Sequence, residues 1–335
     1  MLRALELAKN GIGRVSPNPM VGCVIVKNGK IIGEGWHQHY GGPHAEANAI
    51  ESVQNKQNIS GSDVYVNLEP CSHFGKTPPC ADLLAHYKVK HVFIANKDIN
   101  PLVQGKGIKK LKSEGIRVME GIMEEEARIL NKRFFTFHEQ GRPYIILKWA
   151  VTSDGYIARD NYDSKWISNE YSRLMVHQWR SQEDGIMVGA NTVIYDNPQL
   201  NVRELKGENP IRIIIDPNLK IKGSYKIFDQ KQKTLIYNFI KNQSGKDLIY
   251  IKVEKNRFMQ GVLMDLKGKG IQSILIEGGK ILLDNIIQSN LWDEARIFNS
   301  PKTFGSGLLA PQLINGKLVE KQSIFDDELK IFKKI

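Results

Sequence analysis

The chain has 335 residues, 41% hydrophobic and 25% charged, a composition that excludes a disordered or fibrous protein and a length that favours two domains with separate cores. Its formal charge of +11 points to an anionic partner, whether nucleic acid, an acidic membrane or a small phosphorylated ligand, without choosing among them. Three cysteines make no disulfide framework, no apolar run is long enough to span a bilayer, and the opening LRALELAKNG reads as a helix instead of a signal peptide, so a cytoplasmic protein is expected.

After the opening helix come strands at 21–26 and 31–35, joined through Asn28-Gly29, a pair that tolerates the positive φ of a tight hairpin. A helix over 43–55 follows, with Ala45, Ala49 and Ile50 on its packed side. Then come a strand at 64–68, a helix from Pro79 or Cys80 to about 87, a strand at 91–95 and helices at 107–113 and 121–131. This order predicts a sheet covered by helices, with crossover units on its later strands. The polar stretch FHEQGRPY at 137–144 interrupts the apolar pattern and sets the expected boundary, giving domains 1–140 and 141–335. Beyond it the pattern predicts strands at 144–150, 185–188, 211–216, 273–276 and 294–299, with helices at 169–182 and 280–288. That is a second α/β domain, with no internal repeat linking it to the first. The Lys-rich stretches at 88–90, 106–112 and 330–334 read as solvated faces, and no RNA-binding signature with interleaved aromatics accompanies them.

Two segments carry the chemistry: GGPHAEANAI at 41–50 and EPCSHFGKTPPC at 69–80. His44 and Glu46 lie two apart, a spacing that diverges on a helix and suits different tasks: a metal ligand, and a carboxylate that handles the proton of a water. Cys71 follows Pro70, and Cys80 follows Pro78-Pro79, which predicts a helix opening at Cys80 whose dipole favours a thiolate. One imidazole and two thiolates leave a fourth tetrahedral position open, the arrangement of a catalytic zinc. A polar first helical turn and two simply buried cysteines are the plainer alternative. Cys23, within VGCVIV, reads as a small core residue.

These residues resemble the zinc nucleoside and nucleobase deaminase superfamily, whose signature is His-x-Glu followed by Pro-Cys-x-x-Cys. Here eight residues, SHFGKTPP, separate the cysteines. That expanded form, with SPNPMVGCVIV at 16–26, HAE and LEPCSHFGKTPPC, is similar to the deaminase domain of the bifunctional riboflavin-pathway deaminase/reductase family. The similarity continues along almost the whole chain, although Ile99 stands where that family commonly has a proline. The resemblance implies a cytidine-deaminase-like α/β/α sandwich with zinc on His44, Cys71 and Cys80. It implies hydrolytic deamination of 2,5-diamino-6-(5-phosphoribosylamino)pyrimidin-4(3H)-one, with Glu46 as the catalytic proton carrier and not a ligand. It further implies substrate contacts from Asn18, His37, His73, Lys76, Asp98 and Asn100, Lys76 being a natural phosphate partner.

The second half has neither Gly-x-Gly-x-x-Gly nor Gly-x4-Gly-Lys-Ser/Thr, so its residues alone leave a nucleotide site undetermined. LKWAVTSDGYIA (147–158), SKWIS (164–168), VGANTVIYDNPQLNVR (188–203) and ILIEGGKILL (274–283) resemble the reductase domain of the same family, with Thr152-Ser153 as a local departure. This implies a dihydrofolate-reductase-like α/β fold that uses NADPH to reduce a ribosylamino to a ribitylamino group. Ala150, Trp166, Thr192, Asp196, Gly278 and Gly279 would contact the cofactor, the glycine pair through backbone N–H groups at a helix start. Ser164, Arg180, Leu200, Arg203 and Glu277 would contact the sugar phosphate, Arg203 through its forked donors. Lys148 reads equally as an orienting group or a paired lysine. The expected partner is a phosphorylated pyrimidine, with no nucleic acid and no membrane, in a homo-oligomer. The rivals are a deaminase of RNA or free bases with a binding module, and a structural-zinc protein; three ligands beside an acidic Glu46 disfavour the latter.

Overall fold

Asn28 and Gly29 take positive φ, 51° and 74°, and turn β1 (Gly22–Lys27) into β2 (Lys30–Trp36), the backbone a two-residue hairpin loop requires. The computed structural model describes residues 1–72, 78–100 and 104–335, which divide into Met1–Gly141 and Arg142–Ile335. In the first unit β3 (Asp63–Leu68), β4 (His91–Asn96) and β5 (Arg117–Met119) are parallel, and β1 joins β3 antiparallel. Among the described residues the sheet order is β2-β1-β3-β4-β5.

Alternation along these strands separates two packed faces. Cys23, Ile25, Val64, Val66, Val92 and Ile94 meet Ala45, Ala49 and Ile50 of one helix, Ala81 and Leu84 of a second and Ile108 and Leu111 of a third. Those helices are α2 (Ala45–Ser52), α3 (Cys80–His86) and α4 (Lys106–Ser113), preceded in the chain by α1 (Leu2–Ala8). On the opposite face Ala4 and Leu7 of α1 pack on Val24. Ala127 of α5 (Glu124–Leu130) meets Leu5 and Ala95 there. The result is the expected α/β/α sandwich. The segment read as one helix over 121–131 is α5 followed by α6 (Lys132–Gln140), so FHEQ is the end of a helix. Phe134 and Phe135 anchor α6 in a small core with Leu68, and Gly141, at φ 69°, ends it.

The second unit contains β6 (Tyr144–Val151), β7 (Tyr156–Ala158), α7 (Glu170–Arg180), β8 (Gly185–Gly189), α8 (Ala190–Asp196), β9 (Ile211–Ile215), β10 (Thr234–Asn238) and β11 (Leu248–Lys252). It continues with α9 (Phe258–Gly268), β12 (Ser273–Glu277), α10 (Lys280–Gln288), β13 (Glu294–Asn299), β14 (Leu308–Leu309), β15 (Gly316–Ile324) and β16 (Asp327–Lys334). Its large sheet runs β11-β10-β9-β8-β12-β6-β13-β16-β15. The strands from β11 to β13 in this order are parallel, and β16 and β15 add an antiparallel edge.

The central strands are buried on both sides, as crossover connections require. Ile145, Leu147 and Trp149 pack toward α9 and α10 through Val262, Leu266, Leu283 and Ile286. Tyr144 and Ile146 pack toward α7 through Val176 and Trp179. Asn169 caps α7 by accepting from the Ser172 N–H at 2.9 Å. Lys148 of β6 lies in register with Glu277 at the end of β12, and β8 ends at Gly189. Carboxyl ends of parallel strands are where such sheets hold ligands.

Candidate active sites

His44 is the N-cap of α2 with extended backbone, ψ 165°, which leaves its ring at the mouth of the helix and puts Glu46 in the first turn. Cys71 follows β3, and Cys80 opens α3 directly after Pro79, as the prolines predict. The His44 Nδ1 lies 3.5 Å from the Cys71 Sγ and 3.3 Å from the Cys80 Sγ. All three ligand atoms fall within 4.8 Å of one another. The Cys80 backbone N–H points at the Cys71 Sγ at 3.4 Å, and the Ala81 N–H binds the Cys71 carbonyl at 3.0 Å, so the second cysteine's helix fixes the first.

The electrostatics follow from this crowding. A hydrogen bond from the Cys80 thiol, aided by His44, pushes the Cys71 thiol down to about 4, while the same pairing and burial push Cys80 up. The Cys71 sulfur raises the His44 imidazole in turn. Glu46 is 3% exposed, and burial pushes its carboxyl up, with the charge of Cys71 adding. Two sulfurs and one imidazole at this spacing are a donor set that suits zinc. Glu46 is not in the cluster.

Two further groups surround it. The His37 Nδ1 lies 2.9 Å from the Pro43 carbonyl, so it carries the hydrogen, and its Nε2 accepts from the Asn18 amide at 3.0 Å. The His37 and His44 rings meet edge-on at 5.5 Å. Asp98 is buried, which raises its carboxyl to about 6, and its Oδ1 accepts from the Asn100 N–H at 2.8 Å. What places Asp98 is Glu69, which opens the EPCSHFGKTPPC segment but has no part in its His and Cys pattern; its signal is an acidic side chain at the end of an apolar strand. Among the described residues the Glu69 carboxylate accepts four backbone N–H groups, from Asp98 (3.3 Å), Gly105 (3.0 Å), Gly107 (3.0 Å) and Ile108 (3.3 Å). It thereby ties the segment before Cys71 to the start of α4. His73 and Lys76 lie outside the described residues.

In the second unit a cavity of about 1100 Å³ gathers every reductase residue expected from the sequence. Ala150, Trp166, Thr192, Asp196, Gly278 and Gly279 line it. Ser164, Arg180, Leu200, Arg203 and Glu277 do so too. Ser164 donates to Asp196 at 3.2 Å, so residues expected on different ligands are tied together. Arg180 makes a two-pronged pair with Glu277, 2.6 and 2.7 Å; burial opposes both charges, but each holds the other ionised, Glu277 below its usual range and Arg180 above. Lys148 is pushed down by burial, against the pull of Glu277. Leu200 differs from expectation in kind. Its side chain is buried in the core cluster that contains Val188 and Ile214, with the backbone at φ 53°. The left-handed Gly278 and Gly279, φ 90° and 78°, lead into α10 with N–H groups suited to an anion. His177 also lines the cavity; its signal in the sequence is the i, i+3 spacing to Arg180.

Comparison with known proteins agrees with both halves. Residues 1–96 match the family model described as the cytidine and deoxycytidylate deaminase zinc-binding region. Residues 143–331 match the RibD C-terminal domain. Riboflavin biosynthesis protein RibD of Actinobacillus pleuropneumoniae is 40% identical over 332 residues, covering 96% of this chain and 88% of the relative. The protein of the same name from Aquifex aeolicus is 41% identical over 314 residues, covering 92% and 88%. A solved Thermotoga maritima diaminohydroxyphosphoribosylaminopyrimidine deaminase/5-amino-6-(5-phosphoribosylamino)uracil reductase superposes with a TM-score of 0.92 at 37% identity, covering 100% of this chain and 97% of that one.

Proposed function

The chain belongs to the RibD family, riboflavin-biosynthesis enzymes with a deaminase and a reductase domain, and from that membership we propose how its residues divide the work. The deaminase acts on the diaminopyrimidinone ribosyl phosphate, and the reductase on the aminouracil that results. The observation that carries this reading is the joint presence of the His44, Cys71 and Cys80 cluster in one unit and the reductase cavity in the other.

In the deaminase centre His44, Cys71 and Cys80 would hold zinc, whose Lewis acidity would make water nucleophilic near neutral pH. Glu46 takes a proton from the attacking water and returns it to the amino nitrogen, which leaves as ammonia. Its burial, which raises its carboxyl above the ordinary carboxylate value, suits a group that both accepts and gives a proton. The paired Asn18 and His37 sit beside His44 and address the pyrimidine or ribose. Asp98 and Asn100, held by Glu69, address the ligand from the Cys71 side, and His73 and Lys76 address the phosphate.

In the reductase centre Thr192, Asp196, Ala150, Trp166 and the Gly278-Gly279 turn would hold NADPH, which would supply a hydride for C1′ of the opened ribose. Arg203 and Arg180 face the anionic sugar phosphate, with Ser164, Glu277 and the Leu200 backbone fixing its hydroxyls. Lys148, in register with Glu277, orients the reacting end. The +11 charge suits two anionic ligands. Among the described residues no helix is long and apolar enough to cross a membrane. The test is incubation with the diaminopyrimidinone ribosyl phosphate and NADPH, following ammonia and NADPH absorbance together. Ammonia first, then NADPH oxidation in equal amount, is expected; ammonia without oxidation removes the reductase half of the reading.

A further inference from the structure

His177 stands on α7 three residues before Arg180, so both side chains leave one face of the helix. It is 3% exposed and lines the cavity shared by Arg180, Arg203 and Glu277. Its Nδ1 is sealed from solvent and has no hydrogen-bond partner. A histidine kept in a core for its bulk is usually satisfied at its buried nitrogen, since an unmet polar group there costs about 1–3 kcal/mol. The neighbouring guanidinium offers no remedy: Arg180 gives its hydrogens to Glu277 and to the Asn201 carbonyl.

The ring is neutral under working conditions, because burial, with the charges of Arg180 and Arg203 adding, holds it at about 4. A neutral imidazole carries one hydrogen, and the less costly tautomer leaves the sealed Nδ1 as a bare acceptor and puts that hydrogen on Nε2. Nε2 has no hydrogen-bond partner among the described residues either, yet it is not one of the sealed unpartnered atoms, so it is open to the cavity that His177 lines. It is therefore a neutral donor on the cavity wall, beside Arg180, whose charge is paired with Glu277, and Arg203, which pairs with the exposed Glu204.

We propose that His177 is a further substrate contact of the reductase centre, donating its Nε2 hydrogen to an oxygen of the sugar-phosphate chain faced by Arg180 and Arg203. This rests on the reductase reading above. A third cation here would be repelled by the first two, whereas a neutral donor adds a hydrogen bond to an anionic ligand without that cost. The geometry also explains why the donor is held in a buried ring: its direction is set before the ligand arrives.

The experiment uses the full chain, supplied with 5-amino-6-(5-phosphoribosylamino)uracil and NADPH. His177→Gln carries an amide nitrogen close to the position of Nε2; His177→Asn carries one at the position of Nδ1; His177→Leu carries none. A lost hydrogen bond to a charged ligand predicts a rise of about tenfold or more in KM for the aminouracil in the Leu and Asn variants, and a change within about threefold in the Gln variant. KM for NADPH and ammonia release from the first substrate stay at wild-type values in all three. If the Leu variant does not fold, the Asn and Gln pair decides. An aminouracil KM within about twofold of wild type for Asn, or equal losses for Asn and Gln, or a matching loss of NADPH affinity, would overturn the proposal. Wild-type turnover of the same substrate tests the reductase reading itself, so the two failures are told apart.

Discussion

Arg180 and Glu277 join α7 to the end of β12 through two parallel hydrogen bonds of 2.6 and 2.7 Å, with their side chains 12% and 9% exposed. Removing one partner strands the other charge in a poorly solvated site. Glu277→Ala is expected to destabilise the second unit by about 3–5 kcal/mol, read as a fall in the denaturant midpoint. The double variant Arg180→Met with Glu277→Leu is expected to recover most of that stability and to remain inactive as a reductase. Restored activity in the double variant would confine the pair to structure.

Glu46→Gln keeps the shape of the side chain and removes its ability to carry a proton. Ammonia release is expected to fall by a factor of about 10²–10⁴, with bound zinc unchanged by metal analysis. Reduction of separately supplied aminouracil is expected to stay at the wild-type rate. Turnover at the wild-type level would take Glu46 out of the proton path.

Gly107 packs against the segment that carries Cys71: a Cβ there would lie 1.9 Å from the Pro70 carbonyl oxygen. Gly107→Ala must push Pro70, and with it the neighbouring cysteine, or push α4 away. Loss of zinc affinity and of ammonia release together is expected. Glu69→Gln, which keeps one acceptor oxygen for four N–H groups, is expected to raise KM for the diaminopyrimidinone more than it lowers kcat, because it loosens Asp98 without touching the ligands. An equal loss in both constants would point to global destabilisation.

His177 gives the second unit an acid sensitivity. Its pKa of about 4 in the folded chain lies below the unfolded value of about 6.5, so between these values the unfolded chain binds more protons. The second unit's stability is then undiminished above about 6.5 and declines as pH falls toward 4. A loss of order 1 kcal/mol between pH 7 and 5 is expected from this ring. Urea titrations at the two pH values should show a shallower loss for His177→Leu than for wild type; equal slopes would mean the ring is not held neutral.

The cluster of His44, Cys71 and Cys80 was legible because its pattern is written in local order: His44 and Glu46 at a helix start, and prolines before each cysteine, fix positions that the fold then brings together. The parallel strand with a long apolar run, YIILKWAV, was legible for the same reason. Other elements were not. TLIYN is fully buried but only five residues long, among Lys, Gln and Ser, and α9 carries Gly261 in its interior. In β15 nearly every residue is exposed, so no period of two marks it; pairing with β16 makes it a strand. Glu69 and His177 escaped because their roles depend on what lies across the fold. Four amides from a segment beginning 29 residues away converge on Glu69, and no spacing rule announces that.

The central claim is one zinc ion held by the His44 imidazole and the sulfurs of Cys71 and Cys80. X-ray absorption at the zinc edge, on protein purified without added metal, tests it most directly. One zinc per chain is expected, with two sulfurs at about 2.3 Å and a nitrogen at about 2.0–2.1 Å, and with one sulfur lost in Cys80→Ser. A fully active deaminase without bound metal, or a bound ion with no sulfur in its shell, would contradict the account.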